Sequence, residues 1–484
     1  MSIVVNKKPA SYWIHAVISV AIMLCFGFIP PLGGDITPFG MKVLGIFVGT
    51  FYGWIFVDFF WTSLLGVILL GLTSYGTIPE VFTEGISNTM TLNMLLMFAF
   101  CAFLEKTGLL NWITYWLISR KILIGHPWRF TAMFLFTIIP ISLIGGIYAG
   151  IVLLWKIFGN VCDLTGYTKE DLYTTYVISG IASLGGIVSI CFPFQPFTQL
   201  CFGLAAGAAG ISEFPVLQWS SMGVVNIVVM FVAYLFLGKF ILRVDVSKLN
   251  NMGDAMGQYR NQKMDSDQRF GMILLLIFLV LIILPSVITG PVQVFCNKFS
   301  ILGACCLCIV AAYIYQEWRG TKLYTFGNMV TDGVSWELMM LFIVTFPLCT
   351  AMESAEAGVI STVVATLMPI VNKISPIVFL ILITVIFCAI TQVAHNLVLI
   401  IALVPPLTKI CVGVGIDPIM FGYIFCVAML NSSATPAASA QSAMVFGQTQ
   451  WVKRSYGFLV GTANFLFMLL CIICIMLPIG MLIF

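Results

Sequence analysis

The sequence predicts an all-α polytopic membrane protein, with about 11 transmembrane helices in two inverted repeats, each carrying a re-entrant hairpin and a broken helix. Three observations predict it. The 484 residues are 61% hydrophobic and 8% charged, with a mean hydropathy of +1.08, far from the balance of a soluble domain. Apolar segments recur along the whole chain, and several are interrupted near their middle by Gly, Pro, Ser, Asn or His. The second half also repeats the order of the first, as transporter folds built from internal repeats do.

The basic residues are dispersed and the net charge is +3, which offers no footing for a nucleic acid. Fifteen cysteines lie scattered in apolar segments with no histidines or carboxylates clustered beside them, so they read as small apolar fillers. Lys7 and Lys8 precede an apolar run without a cleavage signal, which predicts a retained first helix. Residues 1–90 then supply three scaffold helices and a polar loop, and residues 91–242 a first transport half with a hairpin over 129–160 and a broken helix over 172–208. Within this half Ser142-Leu-Ile-Gly-Gly-Ile-Tyr148 interrupts one apolar run, and Ser183-Leu-Gly-Gly-Ile-Val-Ser189 with Phe192-Pro-Phe-Gln-Pro196 interrupts the next.

A charged linker, 243–269, leads to further scaffold helices over 270–334. The second transport half, 335–455, has its hairpin over 375–413 and its broken helix over 418–448, and residues 456–484 form a last helix. Glu353-Ser-Ala-Glu-Ala-Gly358 echoes Glu105-Lys-Thr-Gly108, and each precedes an amphipathic stretch. The second hairpin is centred on Thr391-Gln-Val-Ala-His-Asn-Leu397, a polar island between two apolar arms too short to span. Lysines and arginines partition to one side if the N-terminus is cytoplasmic, the C-terminus is outside and the repeats are inverted. The first hairpin then enters from the cytoplasm and the second from outside, in a multi-pass protein of the plasma membrane.

Backbone that leaves a helix inside a bilayer must be bonded by protein, water or ligand. Two opposed hairpins meeting two broken helices therefore predict a secondary transporter with its site near the midplane. Helix N-termini after each tip favour an anion. The expected substrate contacts are Ser142, Gly145 and Gly146 at the first tip, Thr391, His395 and Asn396 at the second, and Thr435. A coupling cation, sodium, is expected at Gly185, Gly186, Ser189, Asn396, Asn431, Ser433 and Ala434, with no other cofactor. None of the four breaks holds Asp or Glu, which argues against a cation/proton antiporter. His395 has no acidic partner nearby in sequence, which argues against a hydrolase.

Met41-Lys-Val-Leu-Gly-Ile-Phe47, Phe103-Leu-Glu-Lys-Thr-Gly-Leu109, Ser183-Leu-Gly-Gly186, Ala434-Thr-Pro436 and Met444-Val-Phe-Gly447 resemble the divalent anion/sodium symporter family of the ion-transporter superfamily. The resemblance implies a homodimer whose transport domains move as elevators, and two sodium sites around a di- or tricarboxylate. The tips depart from it, since the family's Ser-Asn-Thr is reduced to Asn396 at the second and absent at the first. The expected function is thus a small-organic-anion transporter, a sodium symporter or an exchanger, and not an enzyme. Two alternatives stay open: a proton- or sodium-coupled carrier of a monocarboxylate, amino acid or neutral metabolite, and a non-transport membrane sensor.

Overall fold

A computed structural model describes residues 8–145, 147–252, 263–288, 290–320, 325–328, 331 and 333–484, and all regular structure among them is helical. The first half comprises α1 (Ala10–Cys25), α2 (Pro38–Phe56), α3 (Phe59–Leu70), α4 (Ile78–Ser87), α5 (Thr89–Lys106), α6 (Leu109–Ile118), α7 (Pro127–Phe136), α8 (Ile138–Gly145), α9 (Ile147–Thr165), α10 (Leu172–Val188), α11 (Pro196–Ala209) and α12 (Val216–Phe236). The second comprises α13 (Ser266–Ile283), α14 (Pro291–Asn297), α15 (Ser300–Arg319), a single turn α16 (Phe326–Asn328), α17 (Trp336–Glu353), α18 (Val359–Val371), α19 (Pro376–Ile390), α20 (Asn396–Gly413), α21 (Pro418–Leu430), α22 (Ala440–Gly447), α23 (Arg454–Cys471) and α24 (Leu477–Ile483). Of the expected linker, 253–262 lie outside the described residues.

Among the described residues nine helices are long and apolar enough to cross a membrane, ten if the bent pair α18–α19 is one span. The broken helices contribute shorter pieces, α10 and α11 in the first half and α21 and α22 in the second. Local chemistry sets the boundaries. Asp58 accepts from the amides of Phe60 and Trp61 at 2.8 and 3.1 Å, which starts α3 sharply after α2. Proline stands in the first turn of α2, α7, α11, α19 and α21, where its missing N–H costs no helical bond.

Both hairpins return to the side they leave. Thr131 near the start of α7 lies 3.1 Å from the Tyr173 hydroxyl, and beyond α9 Tyr167 donates to the Asp245 carbonyl at 3.1 Å. Lys248 meets Asp171 at 2.7 Å, so the first hairpin starts and ends at the linker. In the second, Gly413 at the end of α20 packs on Met368 of α18, next to the start of α19. That end is opposite the linker. Gly108, after α5, approaches Gln268 of α13 on the linker side, and α17 starts there, since Ser335 and Glu105 line one cavity. Past the far end of α17, the Thr37 amide donates to Ala357 O at 3.2 Å in the α1–α2 loop.

The repeat extends to details. Gly108 and Gly358 take left-handed conformations, φ 74° and 65°, ahead of α6 and α18. α12 and α23 each run into a π-helical turn, Leu237–Ile241 and Ile472–Met476. One body gathers α1 to α4 with α17, and α5 packs with α13 and α15. The other gathers both hairpins and both broken helices around α10 and α21. Every residue of α21 after Pro418 is buried, as a helix apolar on all faces requires.

α12 pins the first break, because Gly223 lets it approach the Cys191 carbonyl, where an added Cβ would lie 1.9 Å from the oxygen. Gly223→Ala is expected to cost roughly 1–3 kcal/mol and lower the thermal midpoint of the detergent-purified protein. An unchanged midpoint would show that this contact does not hold the break.

Candidate functional site

The second break, 431–439, is held by the second hairpin tip through one side chain. The Gln392 amide donates to the Cys388 and Asn431 carbonyls, both at 2.9 Å, and accepts from the Ser433 and Ala434 amides at 3.1 and 3.0 Å. Its own carbonyl accepts from the Thr435 hydroxyl. Asn396 adds to this, with its amide N–H on Ala438 O at 3.3 Å and its side chain on the Ser432 hydroxyl at 3.1 Å. Seven backbone groups of the tip and the break are thus bonded within the protein, as the apolar surroundings demand.

The first break uses the same device with the partners exchanged. Gln195, on the break, donates to the tip carbonyls of Ser142 and Leu143 at 3.4 and 3.5 Å. Trp219 donates to Ile190 O at 2.8 Å. Gln199 donates to the Pro193 carbonyl and accepts from Asn93 of α5 at 3.0 Å.

Beside this tip lies a cavity of 250 Å³. Both α9 and α11 begin on its wall, with Ile147 and Tyr148 from one and Pro196 and Phe197 from the other. Ser142 faces it, 2% exposed and with a hydroxyl that has no hydrogen-bond partner among the described residues. Two converging helix N-termini with an unpaired hydroxyl make an anion-favouring pocket. Phe194, Phe197 and Leu338 give it apolar walls, and the Glu105 carboxylate stands on its lining near the linker side.

Between α10 and the second break is a second, smaller space of 20 Å³, the size of a single water or ion. Ser183 and Gly186 face it from α10, and Ser432, Ser433, Ser439 and Ser442 from the second break. Asn464 of α23 ties the halves together there, donating to the Ser183 and Ser433 hydroxyls, each at 3.0 Å. Its side-chain oxygen is buried without a hydrogen-bond partner.

The expected residues distribute unevenly over these spaces. Ser142 and Ser189 line the larger one, and Gly186 and Ser433 the smaller. Gly145 ends α8, and Gly146 lies outside the described residues. Gly185 and Gly186 are not unwound; they belong to the last turn of α10, and the helix opens only at Ser189, whose hydroxyl donates to Gly186 O at 2.5 Å. Their lack of side chains serves packing, since Ile138, Ile147 and Ser142 close on Gly185. Thr391 turns to Met429 O at 3.4 Å, and Thr435 to Gln392. Asn431 donates to Phe465 O at 3.0 Å, and the Ala434 amide is taken by Gln392. His395 stands at the N-cap position of α20 without a side-chain capping bond, its ring 5.7 Å from Phe59 of α3 and its Nδ1 buried without a partner among the described residues. The Leu397 amide is bonded by the Asn396 side chain at 2.7 Å, so the first turn of α20 is partly capped from within. Gln392, Gln195, Asn464 and the start of α11 were not among the expected site groups. The Pro196 that follows Gln195 marked the last of these.

Opposed hairpins, two broken helices and a pocket at the first tip define a secondary transporter, not an enzyme. Residues 14–421 match the family described as Citrate transporter, CitMHS, and the chain belongs to that family, within the ion-transporter superfamily. A solved structure, the Alcanivorax borkumensis YdaH transporter, is similar in fold at a TM-score of 0.55 and 15% identity, covering 83% of this chain and 87% of that one. No curated protein matches the chain by sequence.

Gln392→Leu leaves the Ser433 and Ala434 amides and two carbonyls without their partner. Each buried group so orphaned costs roughly 1–3 kcal/mol, so a large drop in thermal stability is expected, with Gln392→Glu, which keeps the acceptors, intermediate. Equal stability of all three proteins would remove Gln392 from this role.

Proposed function

We propose that the protein carries a small organic anion, a citrate-class tri- or dicarboxylate, coupled to sodium, by an elevator movement of its hairpin body. The observation that carries this reading is the 250 Å³ cavity at the first tip, where two helix N-termini and the unpaired Ser142 hydroxyl converge. The family's description supports the substrate class. Glu105 on the lining disfavours a bare polyanion and favours one that enters with a cation. The coupling ion belongs at the serine-lined space between α10 and the second break, since hydroxyl and amide oxygens are hard donors suited to small cations.

The cavity lies on the linker side, which the distribution of basic residues makes cytoplasmic. With the second tip against Phe59, this is the inward-facing arrangement. The other arrangement would shift hairpins and breaks together relative to α1 to α4 and α17, with α6 and α18 as arms. We assign the protein to the plasma membrane as a homodimer, its scaffold helices at the interface. A second reading follows from the buried, unpartnered Nδ1 of His395, a site for a coupling proton.

Uptake of labelled citrate into proteoliposomes, with sodium and pH gradients imposed separately, tests these readings. Sodium-driven uptake is expected. Ser142→Ala is expected to raise KM about tenfold, the loss of one hydrogen bond to a charged ligand, and Ser433→Ala to weaken the sodium dependence while sparing KM for citrate at saturating sodium. Uptake indifferent to sodium and to both substitutions would refute the assigned sites. For the histidine, His395→Gln is expected to flatten the pH profile if a proton is carried there; an unaltered profile rejects that reading.

A further inference from the structure

Away from the transport path, α7 and α12 form a groove that faces the lipid. Both pack on α10: Trp128 of α7 stands 6.5 Å from the Tyr176 ring, and Tyr234 of α12 stacks on Tyr176 at 4.8 Å. They touch each other deeper in the membrane, where the Phe136 and Phe231 rings are 5.8 Å apart. From that contact they diverge toward the linker side over about two helical turns, roughly 10–12 Å. The opening has a volume of 340 Å³ and is bordered by Trp128, Arg129, Val232, Phe236, Lys239 and Phe240.

The chemistry of the groove changes along its length. Its deep part is apolar and turned outward, with Val232 57% and Phe236 46% exposed on a helix long enough to span. Its mouth holds two exposed cations, Arg129 and Lys239. Neither has a carboxylate partner among the described residues, and no acidic side chain lines the groove. Trp128 beside them is the amphipathic ring found at the headgroup level of membranes.

We propose that this groove binds one anionic glycerophospholipid, with its phosphate between Arg129 and Lys239 and an acyl chain along Val232 and Phe236. Paired cations above an apolar slot match the charge and the tail of such a lipid. A zwitterionic headgroup finds no carboxylate there for its ammonium. A soluble phosphate leaves the apolar slot unfilled. The site is independent of which solute the protein carries, and it ties a hairpin arm to the inner leaflet.

Native mass spectrometry of the full chain in detergent, incubated with phosphatidylglycerol, phosphatidylcholine or glycerol 3-phosphate, tests the assignment. One phosphatidylglycerol is expected to remain bound, preferred over phosphatidylcholine by on the order of tenfold. The preference should vanish in Arg129→Gln/Lys239→Gln and persist in Lys169→Gln/Arg319→Gln, which removes two exposed cations elsewhere. All four positions are exposed, so these variants should fold, and an unshifted thermal midpoint checks that. A preference that survives in the Arg129/Lys239 variant overturns the proposal, as does displacement of the lipid by equimolar glycerol 3-phosphate.

Discussion

A chain that leaves its helical hydrogen bonds in the middle of a bilayer has nowhere else to put them, and that constraint organises the transport core. A primary amide bonds irregular backbone across each hairpin contact: Gln392 of the second tip bonds the second break, and Gln195 of the first break bonds the first tip. An amide suits this task because it donates and accepts at once and carries no charge, so it bonds both N–H and C=O groups without the desolvation cost of an ion. Hairpin tip and unwound segment are therefore parts of one construction, each stabilising the irregular backbone of the other.

The two halves share this plan but differ in what they leave open. At the second tip the amides of Asn396 and Leu397 are used internally, by Ala438 O and by the Asn396 side chain. At the first tip Ser142 remains unpaired beside the starts of α9 and α11. Repeat symmetry in the fold thus coexists with functional asymmetry in the site.

Much of the architecture was legible because membrane insertion makes hydropathy and its interruptions nearly sufficient. The hairpin around His395, the two broken helices, the inverted repeat and the matching glycines Gly108 and Gly358 all follow from where polar or flexible residues interrupt apolar runs. The location of the unwinding did not. Gly185 and Gly186 read as a break, yet a glycine pair keeps helical bonds when neighbours pack into the space it leaves; the helix opens at Ser189 instead, and Pro193, without an N–H, stands in the gap before Pro196 starts α11. Gln392 stood in plain view within the polar island, but its role depends on residues about 40 positions later reaching it. Asn464 lay inside an apolar run, where a lone amide signals a partner without naming it.

One feature of the packing bears on how the molecule is made. α20, the returning arm of the second hairpin, lies along α11 of the first half, and α10 lies along α22 and α23. The boundary between the halves is therefore the buried interior itself, and Ser183 meets Asn464 across it. During synthesis the first half emerges with one flank of α10 uncovered and Ser183 without Asn464. That flank stays open until α22 and α23 have been inserted beside it.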